Sequence, residues 1–360
     1  MNGSIRQVGS TAGKTGFSTT RREFLQTAAV LGAAGLAAPF VRGSDKSGLG
    51  PIIVGSGEHT YEVIHDWGTL PKTHAWGNTH GVCEDAQGRI LIKHTVGGGS
   101  ESADAMVVFD AEGKFAGSWG AEFKGGAHGL HIVKEGSDEV LYLCDPNRGL
   151  VVKTDVSGKE IWRRECPMES GLYNSQGEYK PTNAAIGPRG EVYIADGYGK
   201  SWIHIYTPKG EYVRSFGGPG KERGQLSCPH GLALDTRSGK PRLVVADRSN
   251  RRLQYFTPDG RHDGFVTDEM RAPCHFHFHG EAMLVPDLEG RVTILDKNNK
   301  LIAHLCDGWS DQGFALRDKQ RDQFVAGKFI APHSAMFDRA GNIFVVEWVE
   351  VGRVTKLRRV

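Results

Sequence analysis

The chain has 360 residues, 39% of them hydrophobic and 24% charged, with a formal net charge of +2 and 49 glycines. This is the make-up of an ordinary folded, turn-rich globular protein. The near-neutral charge excludes the broad basic surface that nucleic acid or a membrane would require.

The first 43 residues differ from the rest. A polar, Ser/Thr/Gly-rich start leads to Thr20-Arg21-Arg22-Glu23-Phe24-Leu25 and then to an apolar stretch over 28–38. Paired arginines ahead of a hydrophobic run too short to span a bilayer read as a twin-arginine export signal. We therefore expect a leader over 1–43, cleaved between Ala38 and Gly43. It implies recognition by the twin-arginine export machinery, a periplasmic or secreted location, and no stable membrane span in the mature chain. A linker is expected over 44–59. Cys83, Cys144, Cys166, Cys228, Cys274 and Cys306 form no CxxC pair and mostly sit inside strand-like runs, so buried free thiols are expected.

From residue 60 onward the chain repeats itself. Copies open at Thr79-His80-Gly81-Val82, Ala127-His128-Gly129-Leu130, Pro181-Thr182-Asn183-Ala184, Pro229-His230-Gly231-Leu232, Pro273-Cys274-His275-Phe276 and Pro332-His333-Ser334-Ala335. The openings lie roughly 50 residues apart, in the range of propeller blades. The fourth copy continues through 243–247, 252–256, a Thr257-Pro258-Asp259-Gly260 turn and a last strand near Phe265. These are four short strands of β-branched and aromatic residues between Gly, Pro and Asp punctuation. The sixth copy has only three, over 335–337, 342–347 and 353–357, and residues 60–68 have the look of the missing fourth. We predict an all-β, six-bladed β-propeller over 60–360, closed by an N-terminal strand that completes the last blade and leaves no long sheet edge exposed. The run Lys356-Leu357-Arg358-Arg359 reads as a solvated strand end, and a monomer is expected.

His80, His128, His230 and His333 occupy one equivalent position in four of the six copies, far more than fifteen histidines in 360 residues would place there by chance. In a closed ring that position faces a common axis, so the imidazoles converge. Three histidines make an open zinc site with a fourth position left for water or substrate; nickel, copper or iron accept imidazole too. His80 and Cys274, which hold the same slot in the first and fifth copies, are candidates for an additional metal or substrate contact. His275, His277 and His279 alternate along one strand and share a face, open either to a second metal site or to packing between blades. Asp145, Asp196, Asp247 and Asp287 end second strands in one register and read as structural. Tyr198 and Arg248 follow two of these aspartates, at blade ends where loops gather.

The stretch Ile194-Ala195-Asp196-Gly197-Tyr198, continuing through Ile205-Tyr206-Thr207-Pro208-Lys209-Gly210, Cys228-Pro229-His230-Gly231-Leu232-Ala233-Leu234 and Val245-Ala246-Asp247-Arg248-Ser249-Asn250, resembles the NHL-repeat propeller of the peptidyl-α-hydroxyglycine α-amidating lyases. The likeness covers residues 60 to 360. It implies NHL-type blades and an enzyme that uses a zinc ion, held by three histidines, to split a peptidyl-α-hydroxyglycine into a peptide amide and glyoxylate. Carried over residue by residue, the resemblance implies metal ligands at His128, His230 and His333, a catalytic tyrosine at Tyr198 and an active-site arginine at Arg248. Two departures stand out. Thr95 occupies the place of the family's second active-site arginine, with Lys93 and His94 as the nearby groups able to replace its charge. Ser334 stands where an aspartate helps bind a structural calcium, which leaves that site a ligand short. The expected function is a zinc-dependent carbon–nitrogen lyase acting on a small-molecule or peptide substrate. The alternative is a non-catalytic propeller that binds a peptide, glycan or protein, because propeller folds serve many functions. A calcium-dependent, lactonase-like hydrolase fits less well, since histidine rather than carboxylate and amide groups fill the axial slots.

Overall fold

A computed structural model describes residues 50–309 and 313–360; the expected leader and the first part of the expected linker lie outside them. Six antiparallel sheets follow one another along the chain, five of four strands and one of five. The strands nearest the slot residues are Thr79–Glu84, Leu130–Glu135, Asn183–Ile186, Pro229–Asp235, His277–His279 and Pro332–Phe337, one in each of blades 1 to 6. Blade 6 is finished by His59–His65, which pairs with Arg353–Arg359 and sets Tyr61 opposite Arg359 and His65 opposite Thr355. The predicted closure is therefore present. A further strand, Ile53–Ser56, pairs outside it and falls in the segment expected as linker, so the propeller begins before residue 60. The apolar residues there account for this: Ile52 and Val54 pack in one cluster with Leu305 and Phe329.

The second strands are buried along their length instead of alternating between core and solvent, as in Val192–Ala195 and Ile343–Glu347. Each sheet is covered on both faces, so neither face needs polar residues. The clusters bridge adjacent blades: Leu91 and Val108 of blade 1 pack with Leu143 and Val152 of blade 2, while Ile92 and Val107 pack with Phe344 and Val346 of blade 6. Side-chain packing thus closes the same ring as the strand exchange.

The end of each second strand is a polar joint. Asp247 accepts a hydrogen bond from the Ser227 amide at 2.7 Å, Asp287 from Arg271 at 2.7 Å, Glu347 from Ile330 at 2.7 Å and Asp196 from Lys180 at 2.7 Å. Asp145 does so more locally, from Arg148 at 3.0 Å. These buried carboxylates tie down backbone that would otherwise be left without partners. In blade 1 the same register position belongs to His94, which faces Thr79 as Asp247 faces Pro229. Its Nδ1 accepts from the amides of Gly77 and Val96, both at 3.3 Å. Burial pulls the His94 pKa down to about 4, so it serves as a neutral acceptor.

Candidate metal centre

The slot residues gather at one end of the inner strands. The rings of His128, His230 and His333 form a nearly equilateral triangle, with centroids 4.8, 4.7 and 4.7 Å apart. Each directs Nδ1 at the backbone carbonyl of the next slot: His128 to Thr182 at 2.7 Å, His230 to Cys274 at 2.9 Å and His333 to His80 at 2.8 Å. A carbonyl only accepts, so Nδ1 carries the proton and Nε2 is the bare nitrogen. Histidines of blades 2, 4 and 6 therefore point lone pairs inward, and the slots of blades 1, 3 and 5 hold them in place. This accounts for Thr182 and Cys274, which contribute their backbone. The glycine after His128 has a related cause, since a Cβ at Gly129 would lie 2.4 Å from the Thr182 oxygen.

All three rings are at most 4% exposed. Burial drives the pKa of His128 down to about 3 and those of His230 and His333 well below the ordinary value, with neighbouring rings and Arg248 acting in the same direction. The imidazoles are neutral at any ordinary pH, the form a metal requires.

Tyr198 completes the cluster. Its hydroxyl lies 3.1 Å from His128 Nε2 and 2.9 Å from His230 Nε2. One phenol proton cannot satisfy both nitrogens, so the centre has more buried lone pairs than protons. That excess, with the fixed Nδ1 protons, fits a cation held by His128, His230 and His333. The Tyr198 ring is 38% exposed, but its oxygen sits among buried rings. Burial pushes its pKa up to about 12, opposed by Arg248. The Arg248 Nη1 atom lies 3.5 Å from the phenol oxygen, and Nη2 is 3.2 Å from Cys228 Sγ.

His80 is placed differently. Its Nδ1 meets His333 Nε2 at 3.3 Å instead of a carbonyl. Ligand atoms of His80, His128 and His333 all lie within 4.8 Å of one another, and among the described residues this is the trio that meets that spacing; His230 stands beside it, its ring centroid 4.8 and 4.7 Å from those of His128 and His333. We favour His128, His230 and His333, because those three rings alone have Nδ1 anchored by the neighbouring slot. Cys274 has its thiol 3.9 Å from Arg248 Nη1 and donates to Ala272 O at 3.5 Å.

The two groups expected to replace the missing arginine do not reach the centre's entrance. Lys93 is 1% exposed and donates to the carbonyls of Gly129 at 3.1 Å and Cys144 at 2.8 Å, which pins blade 1 to blade 2. His94 is the capping residue described above. His275 bonds Ser334 Oγ at 3.3 Å and His277 accepts from the Phe337 amide at 3.2 Å. They line a basin of about 860 Å³ with His131 at the opposite end of the inner strands, and among the described residues the only histidine group at metal-binding spacing is that of His80, His128 and His333. Ser334 turned toward an imidazole offers no hard-oxygen site, so the residues do not fit a calcium. All six cysteines are free thiols, five of them buried and Cys228 half-buried.

A cleft of about 450 Å³ opens onto the centre, lined by Asn78, His80, Thr95, His128, Lys180, Tyr198 and Trp348 among others. Thr95, Pro146 and Trp348 each follow the second strand of a blade, the register that Arg248 holds in blade 4. Arg317 stacks on Trp348 with 3.3 Å from guanidinium carbon to ring centroid. It comes from the connection between blades 5 and 6, where no repeat register marks it.

No protein-family model matches the chain. It is 35% identical over 142 residues to the peptidylglycine alpha-amidating monooxygenase of Rattus norvegicus, covering 37% of this chain and 14% of that protein. It is 28% identical over 159 residues to a probable peptidyl-alpha-hydroxyglycine alpha-amidating lyase of Caenorhabditis elegans, covering 42% of this chain and 43% of that protein. The matches thus span well under two thirds of either relative. A solved gluconolactonase from Xanthomonas campestris shares the fold, with a TM-score of 0.56 at 13% identity over 91% of this chain and 99% of that one. The chain is a six-bladed propeller of NHL-type repeats, homologous to amidating monooxygenase and lyase proteins.

Proposed function

We propose that this chain is an exported, metal-dependent lyase that cleaves the carbon–nitrogen bond of an N-acylated α-hydroxyglycine, giving the amide and glyoxylate. The observation that carries the reading is the Tyr198 hydroxyl, set between the Nε2 atoms of His128 and His230 and beside Arg248. It puts a proton-transferring group against the axial nitrogens and a cation behind it. His128, His230 and His333 would hold the ion, and neutral imidazoles suit zinc. When bound, a divalent ion supplies Lewis-acid stabilisation of a substrate oxygen and relief for negative charge on the adjacent phenol.

The chain's own residues supply the proton transfers. Tyr198 takes the proton of the α-hydroxyl as the carbonyl of glyoxylate forms and the carbon–nitrogen bond breaks. The electron pair of that bond passes to the amide nitrogen, which recovers the proton from the phenol, so no co-reactant is consumed. Burial resists the phenolate that this step requires, so the phenol must first release its own proton to solvent, and the charge left on its oxygen has to be offset locally. Arg248 is the side chain placed to do so.

The paired Arg21 and Arg22 with the apolar stretch that follows support delivery across a membrane by the twin-arginine machinery. Among the described residues no helix is long and apolar enough to cross one. The direct test is incubation of the zinc-loaded mature protein with N-benzoyl-α-hydroxyglycine. Glyoxylate is expected well above the spontaneous rate and should vanish with a chelator; release at the spontaneous rate alone refutes the assigned reaction.

A further inference from the structure

The entrance to the histidine centre is built for an anion. Its lining includes Lys180 and no aspartate or glutamate. The Lys180 ammonium has no partner among the described residues, and Arg248 adds a second positive charge beside the phenol. A cleft lined by one sign of charge concentrates ligands of the opposite sign.

Arg317 is a third cation, set behind the lining residues Asn78 and Trp348, with Glu350 and Asp318 close enough to act on its charge. Its guanidinium lies flat against Trp348. Nε donates to the Trp348 carbonyl at 3.2 Å and Nη2 to Asn78 Oδ1 at 3.2 Å. Trp348 and Asn78 both line the cleft. The stack and these two bonds fix the plane of the fork, while Nη1 and the second Nη2 proton have no partner among the described residues. Glu350 is tied to Arg317 through the backbone, N to O at 3.0 Å, but its carboxylate makes no ion pair with the guanidinium. A guanidinium held in one plane with its outer edge free is the arrangement that binds a carboxylate through two parallel hydrogen bonds, at little further entropic cost.

We propose that Arg317 grips the carboxylate of the substrate and is the specificity-determining residue for acids over amides. The proposal rests on the lyase reading for the identity of the ligand. Its geometry also bears on the departure at Thr95: in blade 1 the register of Arg248 carries no charge, and the guanidinium arrives from the loop between blades 5 and 6 instead.

The test uses two stable probes that differ only in charge, N-benzoylglycine and N-benzoylglycinamide, titrated calorimetrically into zinc-loaded wild-type protein and the Arg317→Ala and Arg317→Lys variants. Removing one charged bidentate partner is expected to weaken binding of the acid by about 10- to 100-fold and leave the amide within about twofold. Arg317→Lys should recover part of the affinity for the acid, which also controls for misfolding. Equal losses for both probes, no loss for either, or no binding of the acid by wild type overturns the proposal. The lyase reading fails separately: a charge-selective loss at Arg317 with no glyoxylate from N-benzoyl-α-hydroxyglycine would keep the anion clamp and remove the reaction.

Discussion

Replacing Tyr198 by phenylalanine removes a single oxygen from the centre and leaves the ring, whose edge-on contacts with His128 and His230 at 5.0 and 5.5 Å between centroids do not depend on the hydroxyl. The lost oxygen lies 3.1 and 2.9 Å from two ring nitrogens, but its one proton serves only one of them at a time. The stability cost is therefore that of one neutral hydrogen bond, about 1 kcal/mol. The catalytic cost is much larger, because a positioned acid–base group contributes about 10²- to 10⁴-fold, or about 3–5 kcal/mol of barrier. Metal content should not fall, since the phenol proton competes for the same lone pairs. Steady-state glyoxylate release at saturating substrate, normalised to bound zinc, separates these effects. A zinc-loaded Tyr198→Phe protein that keeps more than about a tenth of the wild-type rate would refute the role given to the phenol.

Three other outcomes follow from the fold. Arg353 and Glu347 form an ion pair whose side chains are 2% and 0% exposed, so Arg353→Met strands a buried carboxylate and should cost about 3–5 kcal/mol in urea unfolding; a loss below about 1 kcal/mol would show the pair to be solvated. His65 accepts from the Gly327 amide at 3.0 Å through Nε2, and burial, aided by Arg353, lowers its pKa to about 3. The unfolded chain takes up this proton near pH 6.5 while the folded chain resists it, so the contribution is complete above about pH 6.5 and is lost as pH falls toward about 3. His65→Gln should then lose less stability than wild type between about pH 7.5 and 5, and equal losses would exclude His65. Changing Arg21 and Arg22 together to lysine should leave the precursor in the cytoplasm; unchanged recovery outside it would remove the export assignment.

The blades were legible because each is short, punctuated and apolar on both faces, and the closing strand because the sixth copy lacks one. Ile53–Ser56 was missed because an edge strand has no repeat partner to align with. The axial histidines could be found from register alone, since an equivalent place in every blade points at one axis. What register could not give was the use of each slot. His94 shares its position with Asp247 and Glu347, and only the bonded pairs of strands reveal that it caps backbone there. Lys93 is charged in sequence and committed to two carbonyls in the fold. Arg317 lies in a connection between blades, where position follows from packing on Trp348 and no periodicity announces it.

The central claim is that alternate blades place His128, His230 and His333 around one ion, with His80 beside it. Zinc content of protein purified without chelators, measured on wild type, His230→Ala and His80→Ala, tests it most directly. About one ion per chain is expected for wild type and for His80→Ala, and close to none for His230→Ala. Metal retained by His230→Ala and lost by His80→Ala would move the site to the trio of His80, His128 and His333, and wild-type protein without metal would contradict the account altogether.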